Sequence, residues 1–342
     1  MSMKILLGTY TRRKSDGIYQ VELNTEKKEL ENLSLLAEVG SPTYLDQMDK
    51  KDIIYTIVNE EDQGGIASLV KDQNGDYIRQ SVLLSEGPSP AYLTYDKEQN
   101  FIYTSNYHKG EVAVYSTDEE GNLELLDTAK HSGSSVHENQ SSPHVHYSKR
   151  TPDGKYLAVC DLGTDEVYTY EVNAEGQLEE KARLKVDPAS GPRHLVFHPN
   201  GKTAYLFAEL SSEIIVLDYH ADTGEFSEKQ TISTIPESHT GFNGGAAIRI
   251  SKDGRFLYAS NRGHDSIASF NIKEEGRISL IDYTSSEGET PRDFNIDPSG
   301  KFLVVGHQDS DNLTLFERDQ ETGQLTLIQK DFYAPEVVNI NF

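Results

Sequence analysis

Polar and apolar positions along this chain alternate in short runs rather than at helical spacing. The stretch "SSPHVHYSKRTPDGKYLAVCDLGTDEVYTYEV", residues 141–172, shows the unit: a short strand, a Pro-Asp-Gly-Lys turn, a second strand rich in Tyr, Leu and Val, a polar loop and a third alternating strand. Period-two alternation bounded by Asp-Gly and Asn-Gly turns predicts antiparallel hairpins, and no long helical period interrupts them. The unit returns as "GPRHLVFHPNGKTAYLFAELSSEIIVLDY" from Gly191, "GGAAIRISKDGRFLYASNRGHDSIASFNI" from Gly244 and "TPRDFNIDPSGKFLVVGHQDSDNLTLFER" from Thr290, with weaker copies from Ser41 and Ser89. A fourth short strand follows after an Asn or Gly turn, as in "AEGQLEEKARLK" and "EEGRISLIDYTS".

Six such copies, roughly 45 to 55 residues apart with four strands each, have the period of propeller blades. The ends of the chain supply one more. "APEVVNINF" matches a first strand and stops, whereas "KILLGTY" and "GIYQVEL" at the start match second and third strands. Pairing the ends completes a seventh blade and removes two open sheet edges. The predicted fold is all-β: one seven-bladed β-propeller domain over residues 1–342, with four-stranded blades, one of them closed by the N- and C-terminal strands.

Charge narrows the partners. With 32 basic against 56 acidic residues the formal net charge is -24, which repels nucleic acid and anionic membrane surfaces. An anionic substrate would need a local cluster of arginines or lysines working against that field. The one cysteine, Cys160, excludes an intramolecular disulfide framework, and "MSMKILLGTY" is too short an apolar run for a signal peptide, so a cytoplasmic location is expected. No stretch approaches the roughly 18 apolar residues of a membrane span. Oligomeric state is not legible.

In a propeller blade the start of the first strand and the end of the second meet at the same face, so repeat alignment shows which residues converge there. Eight places before the Gly of the first turn stand His146, Arg193, Ala246 and Arg292, with Glu336 in a related place. Eight places after it stand Leu162, Glu209, Arg262 and Gln308, with Asn261 and His307 one place earlier; the second copy puts Asn106 and Tyr107 there. Packing alone would favour small or apolar residues, yet these positions carry arginines, histidines and carboxylates, which points to an anion site at one mouth. A water-filled channel lined by polar residues is the competing reading. The connections "HSGSSVHENQSS" and "STIPESHTGFNGG" lead into first strands and are expected to overhang that mouth as a rim or lid. His144 and His146, two apart on a strand, project to one face, as a chelating pair would, but no cysteine and no third ligand at motif spacing accompanies them. No phosphate-cradling glycine loop, GxSxG elbow or EF-hand is present.

The motifs "SPHVH", "GPRHL" with "AEL" downstream, "SNRGHDSI" and "PRDFNIDPSGKFL" resemble the seven-bladed lactonase family, which holds propeller-type 6-phosphogluconolactonases and the related carboxymuconate cyclases. The resemblance spans essentially the whole chain and is weakest in the first two repeats, where Thr43 and Ala91 replace charged residues. It implies an active site of one histidine, two arginines and a glutamate, matched here by His146, Arg193, Glu209 and Arg262. His144, Arg292, Asn261, His307, Tyr107 and Glu336 are the expected substrate contacts. The implied activity is metal-independent and cofactor-free hydrolysis of a small anionic sugar lactone, 6-phospho-D-glucono-1,5-lactone first, in the pentose phosphate pathway. His146 or Glu209 would serve as general base and an arginine would stabilise the oxyanion. A muconate-type lactonising cycloisomerase and a non-catalytic binding propeller are the alternatives.

Overall fold

The computed structural model describes residues 2–342. Strands β1 (Ser2–Thr9), β2 (Gly17–Asn24) and β3 (Glu29–Glu38) open the chain. Six antiparallel meanders follow. The first is β4 (Leu45–Met48), β5 (Ile53–Glu60), β6 (Gln63–Lys71) and β7 (Tyr77–Glu86). Next come β8 (Tyr92–Asp96), β9 (Phe101–Asn106), β10 (Glu111–Thr117) and β11 (Leu123–Lys130), then β12 (Val145–Arg150), β13 (Tyr156–Asp161), β14 (Glu166–Val172) and β15 (Leu178–Lys185). The fourth is β16 (Pro192–Phe197), β17 (Thr203–Ala208), β18 (Glu213–His220) and β19 (Glu225–Ser233), and the fifth β20 (Gly244–Ile250), β21 (Phe256–Arg262), β22 (Ser266–Ile272) and β23 (Ile278–Ser285). The sixth is β24 (Pro291–Ile296), β25 (Phe302–His307), β26 (Asn312–Arg318) and β27 (Leu325–Tyr333), after which β28 (Val337–Asn341) ends the chain.

Each meander is a four-stranded sheet in chain order, and the seventh sheet runs β28-β1-β2-β3. Strand β28 pairs antiparallel with β1, Leu7 opposite Ile340 and Gly8 opposite Asn339, so the termini share a blade as the sequence predicts. These are the blades of a seven-bladed β-propeller.

Contacts divide the chain into two compact units. One comprises the chain up to Glu38, His194–Asp218 and Glu228–Phe342; the other comprises Val39–Arg193 and Tyr219–Ser227. In the first, Ile5, Leu7, Val21, Phe302, Leu313, Val337 and Ile340 form one core cluster, and Tyr205, Phe207, Ile248, Leu257 and Phe270 another. In the second, Tyr103, Val145, Leu157, Val159 and Tyr168 pack together, as do Tyr55, Ile57, Ile66, Leu93 and Ile102.

The strands differ by rank within a blade. Second strands such as β17 and β25 are buried at every residue, which explains their uninterrupted apolar runs, because both faces are covered. A fourth strand such as β15 buries no residue fully: Leu178, Ala182 and Leu184 are half-buried, and the Lys and Glu residues between them are exposed. Each fully buried Leu, Ile or Phe on the inner strands contributes about 1.5–3 kcal/mol.

Between second and third strands the chain turns through a left-handed residue that is often aspartate: Asp165 (φ 57°), Asp265 (φ 50°) and Asp311 (φ 54°). Aspartate tolerates this conformation better than most residues. Each carboxylate then accepts the backbone N–H just ahead of the next first strand: Gly191 at 2.8 Å, Thr290 at 3.0 Å and Glu336 at 3.0 Å. These aspartates fix where each first strand begins, and so where its leading side chains stand.

Candidate active site

Three first strands carry a β-bulge at the positions singled out by repeat alignment, β20 among them, where the register jumps between Gly245 and Ile248 around Ala246. In β12 the register jumps between Val145 and Tyr147, leaving His146 as the extra residue; in β24 it jumps between Pro291 and Asp293, leaving Arg292. A bulge re-aims its side chain and breaks the ladder locally, a device common beside functional sites. Sequence alignment found the residues but not the bulge.

In the first unit, Glu209 follows directly on β17 and Arg262 ends β21. Their side chains form an ion pair, Arg262 Nη2 to Glu209 Oε1, at 2.9 Å, while remaining 14% and 21% exposed. The same guanidinium donates from Nη2 to the Gly245 carbonyl (2.9 Å) and from Nε to the Gly244 carbonyl (3.3 Å). The glycine doublet permits this seat. A Cβ on Gly244 would stand 3.1 Å from Arg262 Nη2, and one on Gly245 would meet the Phe207 ring at 2.7 Å and the Ala208 carbonyl at 3.1 Å. Gly245→Ala is therefore expected to destabilise the protein by about 1–3 kcal/mol through overpacking and to lower turnover by shifting the carbonyl that holds Arg262; thermal unfolding and initial rates measure the two effects separately. The loop leading into β20 lies against this corner. Its Phe242, 78% exposed, lays its carbonyl where a Cβ on Gly263 would come within 2.2 Å.

In the second unit, His144 and His146 flank one tyrosine. The His144 ring stacks on Tyr107 with centroids 4.1 Å apart and planes at 9°, and His146 meets the same ring edge-on at 6.0 Å. His144 Nδ1 lies 2.8 Å from the Tyr107 carbonyl, which can only accept, so Nδ1 carries a hydrogen and the neutral ring keeps its lone pair on Nε2. His146 and Arg193 are both buried.

A chain that sequence reasoning missed sits behind them. Buried Asp161 accepts the His144 backbone N–H (2.7 Å) and the Gly163 N–H (2.9 Å) with Oδ1, and Oδ2 lies 2.7 Å from His131 Nδ1, whose Nε2 is 3.0 Å from the Tyr170 hydroxyl. The loop 131–142 is pinned here as well, because Gln140 donates to the Leu162 carbonyl and to Asp165.

Three expected substrate contacts have other tasks. Asn261 is fully buried, donating to the Thr234 carbonyl (2.8 Å) and accepting from the Thr234 hydroxyl (2.7 Å), so it anchors the loop ahead of β20. His307 is fully buried against the Asn312 carbonyl, and burial holds its pKa below the ordinary histidine value. Glu336 accepts four consecutive backbone N–H groups, Arg12 (3.1 Å), Arg13 (2.8 Å), Lys14 (2.8 Å) and Ser15 (3.1 Å), and so shapes the β1–β2 connection. Arg292 keeps a partly exposed guanidinium, with Nη1 donating to Gln308 Oε1 at 3.3 Å.

One position of the Glu209 and Arg262 rank escaped the repeat alignment because its blade is split between the termini. Tyr10 N donates to the Glu336 carbonyl (3.1 Å) just as Gln308 N donates to the Thr290 carbonyl (3.1 Å), so Tyr10 is the second-strand residue of the closing blade. Among the described residues, no group of three or more His, Cys, Asp or Glu side chains is arranged to hold a metal ion, and no helix is long and apolar enough to cross a membrane.

The family model "Lactonase, 7-bladed beta-propeller" matches residues 4–342. The chain belongs to the seven-bladed β-propeller lactonase family. A Bacillus subtilis protein named 6-phosphogluconolactonase is 42% identical over 339 residues, covering 98% of this chain and 97% of that one. Among solved structures, a Lactobacillus plantarum protein superposes with a TM-score of 0.97 at 44% identity, covering 100% of this chain and 99% of its own. The periplasmic gluconolactonase of Pseudomonas aeruginosa superposes with a TM-score of 0.93 at 30% identity, with the same coverage. The family match makes this lactonase an enzyme of lactone hydrolysis acting on a small molecule.

Proposed function

We propose that this lactonase hydrolyses 6-phospho-D-glucono-1,5-lactone to 6-phosphogluconate, as a step of the pentose phosphate pathway. The observation that carries the proposal is the seating of Arg262: its guanidinium is fixed by one carboxylate and two backbone carbonyls yet stays partly exposed. A donor held in place before the reaction stabilises negative charge as it develops, with no reorganisation at the moment of reaction. Arg262 would thus serve the carbonyl oxygen of the lactone as it becomes an oxyanion.

Water adds to C1, the C1–O5 bond breaks, and O5 leaves with a proton to become the 5-hydroxyl. The resemblance to the family implies His146 as the general base for the attacking water and Arg193 as a further cation for the anionic substrate. Glu209 is a positioning residue, because its carboxylate already holds Arg262. His144 and Tyr107 set the face against which His146 stands.

At neutral pH the ionised product releases one proton per lactone opened, so a pH-indicator assay follows turnover directly. The proposal expects the protein to accelerate proton release from 6-phosphogluconolactone well above the spontaneous rate, with full activity in a chelator. No acceleration, together with turnover of a muconolactone, would move the assignment to the cycloisomerase branch.

A further inference from the structure

We infer that Arg12 and Arg292, assembled on the ring of Tyr10, form a phosphate subsite that makes this lactonase selective for a phosphorylated sugar lactone. The inference rests on the lactonase reading and deepens it by naming the substrate class and the residues that choose it.

In a chain of net charge -24, residues 12–14 are the only three consecutive basic residues, "RRK", and they lie between β1 and β2 beside the second-strand end of the closing blade. Two of the three are already neutralised. Arg13 reaches Asp311 at 2.9 Å and Asp309 at 3.6 Å, and Lys14 reaches Asp311 at 2.9 Å. Arg12 differs. Its guanidinium carbon lies 3.8 Å from the centre of the Tyr10 ring, and among the described residues no carboxylate forms an ion pair with it.

The second cation comes from the neighbouring blade of the same unit. Arg292, the bulge residue of β24, places its guanidinium carbon 5.6 Å from the centre of that same ring. Its hydrogen-bond partner is the neutral Gln308 amide, so Arg292 also retains its charge. Two guanidiniums sharing one aromatic ring repel each other, and that arrangement is relieved when an anion with several acceptor oxygens binds both. A phosphate dianion offers three such oxygens, and arginine forks bind them in parallel hydrogen-bond pairs.

The geometry is preorganised. The four backbone N–H groups of Arg12 to Ser15 converge on Glu336, which bends the loop so that the Arg12 side chain returns over Tyr10. That clasp uses the Arg12 backbone and leaves its side chain to the ligand. Tyr10 in turn holds the rank that Glu209 and Arg262 hold in their own blades of this unit, so the cations stand at the same end of the blade as the oxyanion donor's end of its own. The assembly was invisible to repeat alignment, because the blade's first strand is at the C-terminus and its second at the N-terminus.

The test compares kcat/KM for 6-phosphoglucono-1,5-lactone with that for unphosphorylated glucono-1,5-lactone, in wild type and in Arg12→Ala and Arg292→Ala. Charge-assisted hydrogen bonds of the usual strength lead us to expect each variant to lower the preference ratio by about 10- to 100-fold, mainly through KM for the phosphorylated lactone. An unchanged ratio, or an equal fall on both substrates, would overturn the subsite while leaving the lactonase reading in place. Calorimetric titration of inorganic phosphate provides a readout independent of turnover. Binding by wild type that Arg12→Ala weakens supports the subsite even if neither lactone is turned over, and equal binding by both proteins overturns it. Acceleration of neither lactone by wild type would sink the hydrolase reading alone.

Discussion

Arg262→Ala is expected to lower kcat by about 10²–10³-fold, the loss that follows removal of one oxyanion-stabilising donor. The size of the effect comes from how the side chain is held. Its guanidinium is committed to Glu209, Gly244 O and Gly245 O, so its position is fixed before substrate arrives. Arg262→Lys should not rescue activity. A single ammonium cannot hold a carboxylate and two carbonyls from one plane while offering a further donor, and this distinguishes the planar fork from a mere requirement for positive charge. Glu209→Gln should cost less than Arg262→Ala, because the two glycine carbonyls remain as a seat. If Arg262→Lys retains full activity, the role assigned to the guanidinium is wrong.

The second large effect concerns stability. Glu336→Ala should destabilise the protein by about 2–4 kcal/mol, since it strips a charged acceptor from four N–H groups in partly buried surroundings. The same residue sits at φ 51°, an unfavourable backbone region for a glutamate, and is held there by the Asp311 bond to its N–H and the Tyr10 bond to its carbonyl. Burial by itself would raise the Glu336 pKa, but the four backbone donors outweigh it and hold the carboxyl below its usual range. The sign of the pH effect follows. A carboxylate with a depressed folded pKa stabilises fully above its unfolded pKa, about 4.3, and that contribution fades as pH falls through the lower folded value. Denaturant unfolding from pH 7 down to pH 3 should show a steeper acid loss for wild type than for Glu336→Gln. Parallel curves would remove Glu336 from the acid response.

Most of the architecture is legible in the sequence because β propellers repeat. Turn signals such as "PDGK" and "PSGK" fix the first hairpin of each blade, and the buried second strands announce themselves as unbroken apolar runs. The match of "APEVVNINF" to a first strand was enough to predict that β28 pairs with β1. The pairing of Glu209 with Arg262 was less legible: alignment gives them equal rank in successive blades, but the ion pair depends on the Gly244–Gly245 doublet, which reads in sequence only as loop.

Rank in the repeat does not by itself fix the orientation of a side chain. Asn261 and His307 precede the outward-pointing position by one residue, and a one-residue step along a strand turns the side chain to the opposite face. Glu336 follows the repeat but meets four N–H groups supplied from the other end of the sequence. Tyr10 and Arg12 were missed for the same reason, since no local pattern links residue 10 to residue 336.

The most direct measurement is the initial rate of proton release from saturating 6-phosphogluconolactone, corrected for spontaneous hydrolysis, for wild type, Arg262→Ala and His146→Ala at equal concentrations of folded protein. A rapid wild-type rate that falls by about 10²-fold or more in both variants, each retaining the wild-type circular dichroism spectrum, is the expected result. A wild-type rate no faster than the spontaneous one, or two variants as fast as wild type, would contradict it.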